Sequence, residues 1–390
     1  MIYWPGLIAL LCVAENFGTA ALLIWLLQRR KSYPQWLGVA ACGWAALMSS
    51  LFLIEIFEPP SWKVFMREYL YLPMAVEMIW NVLFLQAAVP LLIIVALIIV
   101  RFGRKPAAET LTPGGISRRN FLYLVGCGAA PAVAFGMGVH GSLTQDDLQL
   151  REFDIAVPGL PPELEGFRIA HVSDLHSGLF VGPRRLKIMS DATNDLKADL
   201  IAITGDIINR EMNEFPVALA AIQRLESRYG MYLCEGNHDV IPGDGIMVRA
   251  CAESRLPMLY NSSVALPIGG GRLIIGGLPW IMHGDGVPPS VVSSLFPARA
   301  TGDVRILLAH HPHVFDIAES ADILLSGHTH GGQIMFGKIG LGSLRFKYCS
   351  GRFNRASTTM IVSNGCGDWF PCRIGAPAEI GLVRLVRAVG

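Results

Sequence analysis

Five short polar motifs lie in the second half of the chain, and each directly follows an apolar run that is typical of a β-strand. The motifs are Asp174-Leu175-His176, Gly205-Asp206, Gly236-Asn237-His238-Asp239, His310 and Gly327-His328-Thr329-His330. Segments with helical spacing separate some of them, at 183–196 and 215–225. In α/β sheets, ligands gather beyond the carboxyl ends of the strands. The alternation of strand, polar motif and helix therefore predicts an α/β domain whose motifs meet at one edge.

The apolar residues of this chain of 390 residues are concentrated before residue 145. Hydrophobic residues make up 52% and charged residues 16% of the sequence, yet no Asp precedes Asp146. Four runs in this first part are about as long as the roughly 20 apolar residues that a membrane-spanning helix needs. These runs are 7–27, 36–57, 79–100 and 121–139. We therefore expect an all-α transmembrane region of about four helices at 1–144, followed by an α/β domain at 145–390.

Basic residues in the connecting segments predict the orientation of these helices. Arg29, Arg30 and Lys31 follow the first run, and a second basic group lies between the third and fourth runs. Because basic loops stay on the cytoplasmic side, a multi-pass protein in contact with the lipid bilayer is expected, with its α/β domain on the outer face. The segment 117–122, Ser-Arg-Arg-Asn-Phe-Leu, resembles a twin-arginine export signal. A basic stop before the fourth helix explains this segment equally well.

The polar motifs carry the oxygen and nitrogen donors that bind divalent metal ions. Asp174 and His176 have a spacing that points both side chains the same way from an extended segment, and His328 and His330 repeat it. Asp206 follows a glycine, whose backbone can bend close to a site, and is therefore suited to bridging two ions. The set contains no thiolate, which closed structural zinc sites usually have. These donors favour two divalent ions of Mn, Fe or Zn.

Taken together and in this order, the five motifs resemble the calcineurin-like metallophosphoesterase superfamily, over about residues 145–390. Three further segments are similar to its membrane-anchored bacterial branch: Pro158-Gly159-Leu160, Gly331-Gly332-Gln333 and Gly375-Ala376-Pro377-Ala378-Glu379-Ile380. The resemblance implies a β-sandwich flanked by helices, in αββα order. With the predicted helices it implies a protein of the bacterial cytoplasmic (inner) membrane, whose domain faces the periplasmic or extracellular side. The activity that it implies is metal-dependent hydrolysis of phosphoesters, by a phosphodiesterase, a phosphomonoesterase or a pyrophosphatase.

The resemblance also assigns metal ligands and catalytic residues. Two quartets are implied, one formed by Asp174, His176, Asp206 and His330, and the other by Asp206, Asn237, His310 and His328. Asp206 would bridge the two ions, which lie roughly 3.5–4 Å apart in such centres, and a hydroxide between them would attack phosphorus. His238 would be the catalytic histidine, which contacts the phosphate and protonates the leaving oxygen. No cofactor other than the two ions is expected.

Several positions leave alternatives open. Relatives often carry Asp at the position of Asn209, where it orients the catalytic histidine, whereas Asn can accept a hydrogen bond but brings no charge. His311 competes with His310 for the second ion, although the family pattern His-x-Pro favours His310. Other polar residues are expected to serve the fold or the surface rather than a metal ion: His171, Asp239, His283 and His313.

The leading hypothesis is a membrane-anchored phosphoester hydrolase with a lipid-linked phosphate as a candidate substrate. Aromatic residues expected at the rim of the site support that substrate, although such residues more often form a core: Trp280, Phe336, Phe346, Trp369 and Phe370. One alternative is hydrolysis of the pyrophosphate of UDP-2,3-diacylglucosamine in lipid A synthesis, which requires a domain that faces the cytoplasm. Another is a metal-dependent sensor or binding module without activity. No basic patch indicates nucleic-acid binding, and the oligomeric state stays open.

Overall fold

The computed structural model describes residues 132–144, 146–281, 288–337 and 339–388. Before these it describes residues 13, 16–18, 20, 21, 24, 39, 42–50, 76, 79 and 80. The chain divides into two compact units. The first comprises Met1–Gln145 and Phe370–Cys372, and the second comprises Asp146–Trp369 and Arg373–Gly390.

Apart from Phe370–Cys372, the described residues of the first unit are helical, and they include helical segments at 42–50 and 132–144. Two indole rings meet in this unit, because Trp44 and Trp80 pack edge to face with ring centroids 5.3 Å apart. The Nε1–H of Trp80 also donates a hydrogen bond of 2.8 Å to Asn16 Oδ1. Aromatic packing and one polar contact therefore connect these parts of the unit.

The prediction of a transmembrane region before residue 145 is wrong, and so is the prediction of a multi-pass location in the bacterial inner membrane with an outward-facing domain. Among the residues that the structure describes, no helix has both the length and the apolar character that a bilayer crossing requires. Most of the four apolar runs, and the segment 117–122, lie outside the described residues.

The second unit alternates strands with helices. Its strands are β1 (Leu148–Val157), β2 (Arg168–Val172), β3 (Leu200–Thr204), β4 (Met231–Cys234), β5 (Ser262–Ile268), β6 (Gly271–Gly277), β7 (Asp303–Leu308), β8 (Ile323–Ser326), β9 (Met335–Phe336), β10 (Ile339–Gly340), β11 (Gly351–Arg355), β12 (Thr358–Val362) and β13 (Ala378–Arg387). Its described α-helices are α1 (Pro183–Asp195), α2 (Phe215–Ile222), α3 (Ile246–Glu253), α4 (Pro289–Ser294) and α5 (Leu341–Arg345). Short 3-10 turns lie at Pro162–Leu164, Met212–Glu214, Pro312–Ile317 and His330–Gly332. The predicted α/β domain is confirmed.

Two sheets form the centre of this unit. The first has the strand order β1-β13-β2-β3-β4, and the second has the order β11-β12-β8-β7-β6-β5. Strands β2, β3 and β4 are parallel to one another, and so are β6, β7 and β8. Parallel strands end at the same edge of their sheet. The loops that carry the polar motifs therefore gather at one edge of each sheet.

The two sheets pack face to face around a shared apolar core. Leu200 and Ala202 of β3 join this core with residues of the second sheet, whereas Ile201 and Ile203 face the buried sides of α1, α2 and α3. Because both faces are covered, every residue of β3 is buried, as is typical of parallel strands. On the other side of the second sheet, Leu307 packs in a third cluster with α4. The layers therefore run helix, sheet, sheet, helix.

Candidate binuclear metal site

The candidate ligands lie in the loops that follow five parallel strands. They are Asp174 and His176 after β2, Asp206 after β3, Asn237 after β4, His310 after β7, and His328 and His330 after β8. Backbone hydrogen bonds join neighbouring loops, from Asp174 N to Gly205 O at 3.1 Å and from Gly327 N to His310 O at 3.0 Å. A bond of 3.1 Å from His328 N to Asp174 Oδ1 joins the loops of the two sheets. All these loops thus meet at one place.

Three of these residues form what we call the buried donor group, namely Asp174, His176 and His330. The Nε2 atom of His330 lies 3.2 Å from Asp174 Oδ1 and 3.0 Å from His176 Nε2. The Asp206 Oδ2 atom approaches this group to 3.5 Å, measured to His176 Nε2. All four side chains are buried. The ligand atoms of Asp174, His176 and His330 lie within 4.8 Å of one another, so these three side chains could hold one ion.

Three others form the open donor group, namely Asn237, His310 and His328. The Oδ1 atom of Asn237 lies 3.1 Å from His310 Nε2 and 2.7 Å from His328 Nδ1. The Oδ2 atom of Asp206 lies 3.1 Å from His310 Nε2. His310 is buried, whereas Asn237 and His328 are partly exposed. Asp206 therefore approaches both donor groups with the same oxygen.

The donor atoms fit a pair of divalent metal ions. The carboxylates of Asp174 and Asp206 are buried, and a buried charge costs free energy unless a cation or a hydrogen bond compensates it. The imidazoles beside them face one another with nitrogen atoms as close as 3.0 Å, so two such nitrogens cannot both carry a proton. Oxygen and nitrogen donors without a thiolate suit Mn, Fe or Zn. The structure brings all the predicted ligands together, and their assignment to individual ions stays a prediction.

Hydrogen bonds from the surrounding backbone orient the ligands. The Nδ1–H of His310 donates to Thr204 O at 2.6 Å, which leaves Nε2 to face Asp206. The backbone N–H of His238 donates to Asp206 Oδ1 at 2.8 Å, which leaves Oδ2 for the donor groups. Such outer contacts select the tautomer and the orientation of a metal ligand.

The ligands also have an unusual backbone conformation. Positive φ angles, which non-glycine residues rarely adopt, occur at Asp174 (55°), His176 (46°), Asp206 (53°), His328 (71°) and His330 (50°). Gly236 packs closely against the loop that carries Asp206. A Cβ atom on Gly236 would lie 2.2 Å from Asp206 Oδ1. Strained conformations persist where the surroundings enforce them, and they concentrate at functional sites. The concentration of positive φ angles at the ligands is therefore independent support for a site here.

Burial and neighbouring charges shift the pKa values of the ligands in different directions. Burial alone would raise the pKa of Asp206, but the nearby His310 and His238 hold it well below its ordinary value. Burial alone would lower the pKa of His310, but the Asp206 carboxylate raises it to about 9. Burial and His310 lower the pKa of His328 to about 3. A metal ion at His310 Nε2 must displace a proton, so metal binding should weaken as the pH falls.

His238 lies beside the donor groups. Its ring packs edge to face on His176 with centroids 4.5 Å apart, and one of its nitrogens lies within 4.8 Å of ligand atoms of His176 and Asp206. The side chain is partly exposed, so a substrate can reach it. Its Nδ1–H donates a hydrogen bond to the backbone carbonyl of Asn209. The main chain at residue 209 therefore orients this ring, whereas the sequence pointed to the side chain.

Two other polar residues serve the surrounding fold, as the sequence suggests. His171 Nε2 forms a hydrogen bond of 2.8 Å with Thr204 Oγ1 between strands β2 and β3. The carboxylate of Asp239 accepts hydrogen bonds from three backbone N–H groups at distances of 2.8–3.3 Å. Burial and the Asp206 carboxylate raise the pKa of Asp239 to about 7. Asp239 thereby ties the loop after β4 to the loop after β3.

His311 and His313 lie next to the open donor group. They form a hydrogen bond with each other, and the His311 ring packs on that of His328 with centroids 4.5 Å apart. Among the described residues, the clusters of side chains that could hold a metal ion include His310 but not His311. His283 and the side chain of Phe336 lie outside the described residues.

Aromatic side chains border the open donor group. The ring centroids of Trp280 and Phe346 lie 5.2 Å and 5.4 Å from that of His328. Both side chains are partly exposed. Of the other aromatic residues expected here, Phe370 is buried and Trp369 is exposed. Trp280 and Phe346 therefore form the part of the predicted rim that contacts the ligands.

A buried ion-pair network next to His330 is absent from the sequence-based prediction. Arg373 Nη2 lies 3.1 Å from His330 Nδ1, and Arg373 also pairs with Asp368, which pairs with Arg185 at 2.7 Å. Burial alone would raise the pKa of Asp368, but Arg185 and Arg373 lower it to about 2. No local pattern marks these residues, because only the folded chain brings them beside the ligand loops.

Known proteins are similar to this chain over the region that contains the motifs. The family model of calcineurin-like phosphoesterases matches residues 167–332, which include all five motifs. YkoQ of Bacillus subtilis, an uncharacterized metallophosphoesterase, is 30% identical over 236 residues, which cover 57% of this chain and 84% of that protein. The chain therefore belongs to the calcineurin-like metallophosphoesterases.

A second relative and two solved structures are also similar to the chain. An uncharacterized metallophosphoesterase of Helicobacter pylori is 29% identical over 276 residues, covering 69% of this chain and 72% of that protein. A dimetal phosphatase from Danio rerio has a TM-score of 0.35 at 11% identity, covering 57% of this chain and 93% of that one. The NAD nucleotidase of Haemophilus influenzae has a TM-score of 0.35 at 15% identity, and the match covers 51% of this chain and 45% of that one. The substrate of this chain follows from none of these names.

Proposed function

We propose that this chain hydrolyses a phosphoester with two divalent metal ions. The observation that carries the proposal is the position of Asp206 Oδ2, which lies 3.5 Å from His176 Nε2 and 3.1 Å from His310 Nε2. A carboxylate between two groups of donors suits a pair of adjacent ions. In this proposal one ion is held by Asp174, His176, Asp206 and His330, and the other by Asp206, Asn237, His310 and His328.

The side chains around the ions have separate tasks in this reaction. When bound, the two ions supply positive charge for the phosphoryl oxygens and lower the pKa of the attacking water. His238 contacts the phosphate from the partly exposed side and protonates the leaving oxygen. Its Nδ1–H stays on the carbonyl of Asn209, so Nε2 is the atom that gives up the proton. Asp206 stays ionised, because the imidazoles around it lower its pKa.

The aromatic residues at the open donor group favour a substrate with an apolar substituent on its phosphate. Trp280 and Phe346 both lie beside His328 and are partly exposed. Aromatic rings bind apolar groups through large contact areas, and ligand pockets combine such surfaces with a few polar groups. We therefore propose a phosphoester with an apolar substituent, and a lipid-linked phosphate is one member of that class.

Hydrolysis of bis(p-nitrophenyl) phosphate by the purified full-length chain with added Mn²⁺ tests the proposed function. The Asp206→Asn variant is expected to bind neither ion tightly and to lose detectable hydrolysis. The His238→Ala variant is expected to keep both ions, measured by elemental analysis, and to lose only about tenfold in kcat, because a nitrophenolate leaving group needs little protonation. Glu226→Gln, which removes an exposed carboxylate, is the control. Wild-type rates for Asp206→Asn would show that the site is elsewhere.

A further inference from the structure

The loop that orients His238 is itself held by one carboxylate. Glu214 Oε2 accepts hydrogen bonds from three successive backbone N–H groups, those of Asn209 at 3.0 Å, Arg210 at 2.6 Å and Glu211 at 3.0 Å. Hydrogen bonds to a charged acceptor are stronger than those between neutral groups. With the N–H groups turned toward Glu214, the carbonyl of Asn209 is left to accept the Nδ1–H of His238.

A second set of contacts ties this loop to the metal site. The hydroxyl of Ser177 donates to Glu214 O at 3.0 Å, and Asn209 N donates to Ser177 O at 2.9 Å. Ser177 directly follows His176, a member of the buried donor group. Gly178 leaves the space for this packing, since a Cβ atom there would lie 2.7 Å from Glu214 Oε1. These contacts therefore fix the Asn209 carbonyl relative to His176 and the other candidate metal ligands.

We propose that Glu214 is a positioning residue for His238. It holds the loop so that a main-chain carbonyl does the orienting that a carboxylate at residue 209 would otherwise do. The inference rests on the proton-donor role proposed for His238. In that step the oxygen of water forms a bond to phosphorus and the ester P–O bond breaks. The attacking water releases a proton to solvent, the proton on His238 Nε2 passes to the leaving oxygen, and solvent protonates the ring again.

The carbonyl of Asn209 fixes the direction of the His238 ring. Because it accepts the Nδ1–H, the Nε2 atom points away from the loop. Loss of Glu214 should therefore misdirect the proton without removing the metal ions. The loss should be largest for substrates whose leaving group most needs protonation.

The dependence of kcat on the leaving group tests this role. The full-length chain with added Mn²⁺ is assayed with methyl p-nitrophenyl phosphate, whose leaving group needs little protonation, and with methyl phenyl phosphate, whose leaving group needs more. Glu214→Gln is expected to lower kcat about tenfold for the phenyl ester and less than about twofold for the nitrophenyl ester, with KM unchanged. His238→Ala should show the same selectivity with a larger loss. Glu226→Gln, on the surface, should keep both rates.

The outcomes separate this proposal from the proposed function. If Glu214→Gln lowers kcat equally for both esters, or does not lower it, the positioning role is wrong. The proposed function still stands if His238→Ala lowers kcat selectively for the phenyl ester. If His238→Ala affects both esters equally, the proton-donor role fails and the positioning role fails with it. Should Glu214→Gln not fold, Ser177→Ala removes the other tether. It must then show a selective loss of about threefold on the phenyl ester, and a folded variant without that selectivity would overturn the proposal.

Discussion

The two donor groups around Asp206 differ in how the protein encloses them. Asp174, His176 and His330 of the buried donor group are almost completely removed from solvent. Asn237 and His328 of the open donor group are partly exposed. The first group therefore has fixed surroundings, whereas the second can be approached from solvent.

The neighbours of the two groups differ in the same way. A buried network of Arg373, Asp368 and Arg185 adjoins His330. The aromatic rings of Trp280 and Phe346 adjoin the open donor group. Under the proposed function, one side of the site would hold its ion rigidly and the other would meet the substrate. The following experiments would sharpen or break this division.

The largest effect is expected when a ligand is removed from the buried donor group. His330→Ala should lose one ion in elemental analysis and lower kcat on the order of 1,000-fold, because its neighbours cannot replace a buried imidazole. Asn237→Ala should lose about tenfold in kcat and recover part of it at high Mn²⁺, because water can replace an exposed amide oxygen. If both variants respond equally to added metal, the two groups do not differ in this way.

A smaller effect is expected from the ion-pair network beside His330. The folded-state pKa of Asp368 is about 2, below the roughly 3.9 of an unfolded chain. Asp368 thus contributes stability of about 2 kcal/mol that is present above pH 4 and lost as the pH falls toward 2. Asp368→Asn should lower the free energy of unfolding in urea at pH 6, and its difference from wild type should shrink at pH 3.

An exposed ion pair provides the control for that experiment. Asp154 pairs with Arg384 at the surface, and exposed pairs contribute little to stability. Asp154→Asn should therefore leave the urea midpoint nearly unchanged at both pH values. An equal loss in the Asp154 and Asp368 variants would contradict a special role for the buried network.

The aromatic border of the open donor group should affect substrate binding rather than the chemical step. Trp280→Ala should raise KM roughly fivefold for decyl p-nitrophenyl phosphate, in line with about 1 kcal/mol for an aromatic contact. It should leave KM nearly unchanged for methyl p-nitrophenyl phosphate, which has the same leaving group. Trp280→Phe should restore most of the loss, and Tyr260→Ala, at an exposed aromatic residue, is the control. Equal changes in KM for both substrates would contradict the proposal that the substrate has an apolar substituent.

The smallest effect is expected at the side chain of Asn209. Its backbone carbonyl accepts the hydrogen bond from His238, and alanine keeps that carbonyl. Asn209→Ala should therefore lower kcat for methyl phenyl phosphate by less than about threefold. A loss as large as that of His238→Ala would mean that the side chain orients the ring after all.

The sequence predicts those parts of the site that depend on local spacing. Asp174 and His176, and likewise His328 and His330, are recognisable because each pair directly follows the end of a strand. The predicted extended geometry of these pairs is wrong, because all four residues have positive φ angles. Glu214 is not recognisable, because it binds backbone groups such as the N–H of Asn209. Arg373 is not recognisable, because only the fold brings it near His330. The apolar runs before residue 145 predict membrane spans because length and apolar composition are the local signals of such a span. No helix of the described residues has both properties.

Strand β13 lies between β1 and β2 in the first sheet and pairs along its whole length with β1. Both partners are synthesised long before it, so this sheet cannot close while the ribosome is still translating residues before Ala378. Pairing between distant segments is slow, and unpaired strand edges promote association with other chains. A nascent or truncated chain would expose the edges of β1 and β2. The first sheet is thus expected to close only after β13 has been synthesised.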